Sequence, residues 1–275
     1  MDRDEMVAGV RRVFDLIADD YDNVGVSFFQ PIADGLVEAV GAVPGDRALD
    51  LGCGSGTSSL ALAAAVGPGG SLVGLDLSPA MVERARRALE GSPVDVTLLV
   101  GDASDPDLPA ASFDVAISSL VLFFLPEPAA ALSRWVRLVA PGGRIGLSTF
   151  GPSNEQWQSL EAPLREFMPP LDPRSVGPQS PFASDEGMTA LLTDAGAADV
   201  RTTSRRVEFG FAGFEQWLRF SRSVGQRVAW ERMTQDDTAR VLEETRRRFD
   251  AAAAPDGTLP AWQQVRYTVG SLPTG

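Results

Sequence analysis

The chain of 275 residues carries 24 basic residues, all Arg, against 37 acidic ones, with no His and a net charge of −13. Its length suits one large α/β domain or a core with a modest insert, and 44% hydrophobic residues allow a sizeable core. Without His or Lys there can be no Ser-His-Asp triad, His metal site or Schiff-base lysine, and the negative charge repels nucleic acid.

Residues 1–5 lack the basic and apolar stretches of a secretory leader, so none is expected. Residues 6–22 read as an amphipathic helix running into Tyr21-Asp22, and residues 31–41 carry Ile32, Leu36, Val37 and Val40 at helical spacing. Strand 47–51, helix 57–66 and strand 71–76 follow. Helix 79–90 is opened by Ser78 as cap with Pro79 in its first turn. Next come strands 94–100 and 113–118, a helix over 128–140 ended by Pro141-Gly142-Gly143, and strand 144–150. Such alternation argues for a parallel sheet with helices on both faces. The apolar run 115–125 is too short to span a bilayer and reads as a buried strand and its exit, so no membrane insertion is expected. Residues 151–182 hold seven prolines and read as an irregular segment around one short helix. Helix 184–195 stops at Gly196, strand 200–209 follows, then helices 214–233 and 234–249, then strand 263–269. A mostly helical insert, about 211–262, thus falls between the last two strands, where it can form a lid.

The chemistry concentrates at strand ends. Leu49-Asp50-Leu51-Gly52-Cys53-Gly54-Ser55-Gly56 is an apolar strand with an acid near its tip, turning through three glycines. Such a turn lets backbone N–H groups approach a ligand closely. A dinucleotide turn spaces its glycines as G-x-G-x-x-G, whereas Thr57 occupies the third position here. An acid at Asp50 suits a cationic head group and repels a pyrophosphate. Asp76, twenty residues after Gly56, ends the next strand and can accept both hydroxyls of a ribose, in a dinucleotide or in another nucleoside cofactor. Gly101-Asp102-Ala103 ends the third strand, and Phe113-Asp114 opens the fourth. Cys53 is the single cysteine; it reads as a small residue between glycines, excludes an internal disulfide and fits a reducing cytoplasm.

Together these motifs resemble the class I S-adenosylmethionine (SAM) dependent methyltransferases, in particular the quinone and natural-product type that act on small molecules. The resemblance covers residues 8–150 well and the last strands weakly. It implies a Rossmann-like α/β fold: a seven-stranded parallel sheet with an antiparallel last strand, helices on both faces, and a helical lid insert. It also implies one domain made of an N-terminal helical segment (1–30), a cofactor core (31–150) and a substrate-side half (151–275). The cofactor residues it implies are Tyr21, lying over the cofactor, Asp50, Gly52, Cys53, Gly54, Gly56, Asp76, Leu77, Met81, Gly101, Asp102 and Ala103, with Ser118 and Ser119 flanking the sulfonium. Asp102 would accept the adenine amino group, and Leu77 and Met81 would wall the adenine. Many relatives carry a His a few positions after the fourth strand; Phe123 stands there in this chain, which makes the pocket more apolar.

The implied reaction is methyl transfer to the O or C of a small, largely apolar acceptor in specialised metabolism. Proximity in a dry pocket supplies most of the acceleration, so no strong base is required and no metal is expected. For a hydroxyl acceptor, Glu155, Glu161 or Glu208 can take the proton. Candidate walls are Phe123, Phe124, Trp157, Phe211, Trp217 and Phe220, each also readable as core. Arg219 and Arg222 share a face of the insert, near Arg227, Arg205 and Arg206; they can bind an anionic group or simply face solvent. An enzyme that binds SAM yet catalyses cyclisation, or a non-catalytic SAM-binding protein, would share the same cofactor motifs.

Overall fold

The computed structural model of the chain describes residues 3–169, 177 and 180–274, so part of the proline-rich 151–182 stretch lies outside the described residues. Five parallel strands stand in the order β3 (Asp95–Val100), β2 (Ser71–Asp76), β1 (Arg47–Leu51), β4 (Phe113–Ser119), β5 (Val139–Ser153). The last strand, β7 (Leu259–Ser271), runs antiparallel between β5 and β6 (Ala198–Phe211), completing seven strands.

Strand periodicity of two sends alternate side chains to opposite faces, and both faces are covered. Ala48, Val115 and Ile117 pack with Ile32 and Leu36 of α2 (Phe29–Val40) and Leu62 and Val66 of α3 (Thr57–Val66). Leu49, Leu51 and Ala116 pack instead with Trp135 of α5 (Pro128–Leu138) and Leu192 of α7 (Asp185–Asp194). As expected, α4 (Pro79–Ala88) starts on Ser78, whose Oγ accepts from the Met81 N–H at 3.1 Å. The sheet order reverses between β1 and β4, which opens a crevice beyond the carboxyl ends of those strands.

Several boundaries differ from the sequence reading; α5, for one, ends at Leu138, and Pro141-Gly142-Gly143 fall inside β5 instead of ending a helix. Helix α1 (Arg3–Ile17) stops short of Tyr21, and Arg84 donates to the carbonyls of Ala18, Asp19 and Tyr21 just beyond it. The acids Asp19, Asp20 and Asp22 would oppose the helix dipole had the helix continued. The long helix expected over 214–233 is two, α8 (Phe214–Ser223) and α9 (Arg227–Arg232). Val224 is extended at the break, Gly225 follows it, and Trp230 Nε1 closes the corner on Ser221 Oγ at 2.9 Å. Strands β5 and β7 are both longer than expected: β5 runs on to Ser153, paired with Gln263 of β7, and β7 starts at Leu259, where its first residues pair with β6. The short helix expected in 151–182 is α6 (Glu155–Glu161), capped by Asn154. With α10 (Gln235–Ala252), helices α8 and α9 fill the connection between β6 and β7.

One buried charge ties β5, β7 and the segment leading into α7 together. Arg266 is 5% exposed and donates to Asp185 at 2.7 Å and to the carbonyls of Phe150, Phe182 and Ala183 at 2.7, 3.1 and 3.0 Å. Arg266→Met strands these acceptors and is expected to cost about 3 kcal/mol in chemical denaturation, the order for breaking a buried charged network. A loss under about 1 kcal/mol would mean that water takes over the carbonyls.

Candidate active site

The turn after β1 brings three glycines into left-handed backbone, at φ 79° for Gly52, 52° for Gly54 and 95° for Gly56. Two of them serve the protein's own packing. A Cβ on Gly52 would meet Val121 Cγ2 at 2.4 Å, and one on Gly56 would meet Ala85 Cα at 3.0 Å. At Gly54 a Cβ would meet nothing within 4 Å. That position borders a narrow cleft walled by Tyr21, Phe29, Cys53, Thr57, Ser119 and Leu120. Glycine there keeps space for a ligand, not for a neighbouring side chain.

Beneath the turn, Asp50 is fully buried, and its Oδ2 accepts from Ser58 and Ser59 hydroxyls at 2.9 and 2.7 Å. Its Oδ1 is buried without a partner. Burial pushes the carboxyl up to about 6. An orphan carboxylate oxygen under a glycine turn is a ready acceptor for an ammonium group. At the tip of β2, Asp76 accepts from the Gly54 N–H at 2.8 Å and from the Ser78 N–H at 2.9 Å. These bonds aim the carboxylate at the rim of the turn and leave lone pairs for sugar hydroxyls. Burial raises its pKa, partly offset by those N–H donors. Asp102 accepts from the Ser104 N–H at 2.8 Å and from Arg3 at 3.3 Å.

Helix α1 lies across this side of the cleft. Asp15 accepts from Ser78 Oγ at 2.5 Å, and Ile17 and Ala18 pack on Met81. Asp22, itself at φ 54°, accepts from Thr57 Oγ1 at 2.6 Å.

A second space of about 380 Å³ adjoins the first and shares Tyr21, Phe29 and Leu120 with it. Leu120 is held at φ 59° with its N–H donating to Ser148, an uncommon backbone state for a residue with a side chain. The remaining walls are mainly aromatic: Phe28, Phe123, Phe150, Trp157 and Phe220 among them. Three long polar side chains interrupt the wall, Glu161, Gln226 and Gln263. Gln226 Nε2 donates to Glu161 Oε1 at 2.7 Å. Burial pushes the Glu161 carboxyl up to about 7, against the pull of Arg165 and Gln226.

Residues 49–147 match the Methyltransferase domain family model. Nocamycin O-methyltransferase from Saccharothrix syringae is 34% identical over 273 residues, which cover 94% of this chain and 97% of that protein. The chain belongs to the SAM-dependent methyltransferases. Aklanonic acid methyltransferase DauC from Streptomyces sp. (strain C5) is 39% identical over 141 residues, 51% of this chain and 64% of that protein. Among solved structures, the YcgJ protein from Bacillus subtilis shares the fold at a TM-score of 0.58 and 17% identity, covering 88% of this chain and 99% of that one. The enzyme's cofactor is SAM, and the orphan oxygen of Asp50 and the open cradle at Gly54 fit its ammonium head and its passage across the turn.

The structure brings five of the fourteen expected cofactor residues into the lining of one cleft and spreads the expected substrate residues. Tyr21, Gly52, Cys53, Gly54 and Ser119 line the cleft directly. Leu77 and Gly101 stand at the adjoining ends of β2 and β3. Ser118 is buried and donates to the Leu51 carbonyl at 2.7 Å, tying β4 to β1. Met81 is fully buried under α1, and the Ala103 carbonyl accepts from Trp135 Nε1 at 2.6 Å. Of the substrate candidates, Phe123, Phe124, Trp157 and Phe220 reach the cavity. Phe211 and Trp217 do not: Phe211 stacks behind Trp157 at 5.7 Å, and Trp217 is wholly buried against Phe214 and Trp230. Arg219 is exposed, and Arg222 lies 4.9 Å over the Trp230 ring, both away from the cavity. Arg205 pairs with Glu38, Arg227 with Glu231, and Arg206 stacks on Trp262. These arginines therefore form no shared anion site. Phe28, Phe29, Phe150, Gln226 and Gln263 line the cavity without having been singled out; the adjacent pair Phe28-Phe29 before a helix was the one local signal available. No group of residues that could hold a metal ion is found among the described residues. Nor is any of their helices long and apolar enough to cross a membrane.

Asp76→Ala removes the carboxylate expected to accept the ribose hydroxyls and should weaken SAM binding at least about tenfold, from charged hydrogen bonds worth roughly 1.5–3 kcal/mol each. Calorimetry that finds the affinity unchanged would reassign Asp76 to holding Gly54 and Ser78 alone.

Proposed function

We propose that the enzyme O-methylates a hydroxyl on a small, largely apolar specialised metabolite, with Glu161 as general base. The observation that carries this is the aromatic cavity of about 380 Å³ beside the cofactor cleft, with Glu161 as the one carboxylate among the described residues that line it. When bound, SAM would supply an electrophilic methyl group, with S-adenosylhomocysteine as the leaving group. Asp50, Gly54 and Asp76 would hold it, and Tyr21, Phe29 and Leu120 would form the wall where the two spaces meet. The aromatic rings exclude water and orient the acceptor, which is most of what a methyl displacement needs. Glu161 takes the proton that the hydroxyl loses, and a carboxyl held near 7 is matched to that task.

The cavity also discriminates by charge. Among the described residues no Arg lines it, so an acceptor carboxylate would lose its hydration beside Glu161 with no cation in that lining to pair with. A neutral hydroxyl meets no such penalty. The two relatives, named for nocamycin and aklanonic acid, support a specialised metabolite as acceptor, and the lone buried Cys53 suits a reducing cytoplasm.

Methyl-labelled SAM, offered with apolar phenols and enols beside matched carboxylic acids, tests this by product mass. The hydroxyl compounds should gain one labelled methyl on oxygen, with S-adenosylhomocysteine released, and the acids should not. An acceptor transformed at constant mass, with SAM bound but unconsumed, would overturn methyl transfer in favour of a cyclising activity.

A further inference from the structure

The polar corner of the cavity holds more acceptors than a single hydroxyl requires. Gln226 Nε2 is committed to Glu161 Oε1 at 2.7 Å, while Gln226 Oε1 is buried with no partner. The amide cannot turn over to relieve this with Glu161 ionised, because that would set two acceptors against each other with no proton between them. A buried carbonyl oxygen left unpaired is costly, and such atoms mark places where a ligand or a water completes the bonding. Gln263, on the same wall, commits its Nε2 to the carbonyls of Gly151, Pro152 and Gln264 at 2.7, 3.2 and 3.0 Å. The Gln263 amide thus has its oxygen left to offer. Among the long polar side chains of this wall, Gln226 Oε1 is the buried acceptor without a partner, while both amide nitrogens already donate to the protein; Ser153 can serve either way.

We propose that Gln226 is a specificity-determining residue, and that the acceptor carries two neighbouring hydrogen-bond donors, one facing Glu161 and the second facing Gln226 Oε1. The substrate class is thus an apolar ring system with adjacent hydroxyls, of which one is methylated. This rests on the reading of the aromatic cavity as the acceptor site. Two features of the fold favour it. Gln226 sits in the break between α8 and α9, so the break in the insert delivers this amide to the cavity. Glu161 ends α6, outside the insert, so one bond ties the insert to α6 and fixes both acceptors. A mono-hydroxyl acceptor satisfies Glu161 and leaves Gln226 Oε1 stranded, and a site built to bond a second donor rejects an analogue that lacks it.

The test uses the full chain saturated with S-adenosylhomocysteine and three ligands of similar shape: 2,3-dihydroxynaphthalene, 3-methoxy-2-naphthol and 2-naphthol. Calorimetry should show the diol binding at least about tenfold more tightly than either one-donor ligand. Gln226→Met, close in volume, should bring the three affinities within about twofold by weakening the diol alone, while S-adenosylhomocysteine binding persists. Equal affinities in the wild-type protein would overturn the proposal without recourse to any variant. So would a Gln226→Met protein that keeps the diol preference, or one that weakens all three ligands alike. Product mass with SAM separates this from the reading beneath it. Methylation of 2-naphthol as readily as the diol leaves O-methylation standing and removes the two-donor site. A strong diol preference with no methyl transferred does the reverse.

Discussion

Gly54→Val is expected to yield a folded protein with no measurable SAM binding. The residue stands at φ 52°, where a β-branched side chain is strained, and the change costs about 1–2 kcal/mol on that ground alone. The space a Cβ would enter contains no protein atom within 4 Å, so the fold has nothing to clash with. The side chain instead fills the path across the turn that the cofactor needs. Its neighbours should behave in the opposite way. Gly52→Ala and Gly56→Ala drive a methyl into Val121 and the Ala85 backbone, so they should lose stability first. Calorimetry and thermal melting on the three variants separate the two effects. A Gly54→Val protein binding SAM within tenfold of wild type would mean that the cofactor does not cross this turn.

Glu161→Gln is expected to lower kcat for a hydroxyl acceptor by about 10²–10⁴, the usual contribution of a positioned general base, with KM changed little. Gln keeps the shape and the capacity to bond Gln226, so the loss should fall on proton transfer. The pH profile carries the sign. Burial raises this carboxyl to about 7, so the base form is lost as pH falls through that value. In the wild-type enzyme kcat/KM should therefore fall about tenfold per pH unit below about 7 and level off above it. Glu161→Gln should abolish that limb. A limb that survives the substitution would belong to the acceptor's own ionisation and would remove Glu161 from the chemistry.

Much of this protein was legible from local pattern. The alternation of apolar strands with amphipathic helices set a doubly covered parallel sheet, because periods of 2 and 3.6 are written in neighbouring residues. Asp50, Gly54 and Asp76 were readable for the same reason: a strand tip followed by a glycine turn is a contiguous stretch whose geometry depends on few distant residues. The cavity was not. Aromatic character was visible at Trp157, Phe211, Trp217 and Phe220, yet helix and strand directions decided that Trp157 and Phe220 face the space while Phe211 and Trp217 lie behind them. Glu155, Glu161 and Glu208 were equivalent as letters. Glu155 opens α6 in solvent, Glu208 points outward from edge strand β6, and only Glu161 reaches the aromatic wall. Phe28, Phe150 and Gln226 are drawn together from three distant parts of the chain. The sequence by itself determined the cofactor and the sheet that holds it, since both depend on short-range spacing. Only the tertiary structure decided which side chains line the aromatic cavity, because that wall is assembled by packing a late helical insert against an early helix and two long strands.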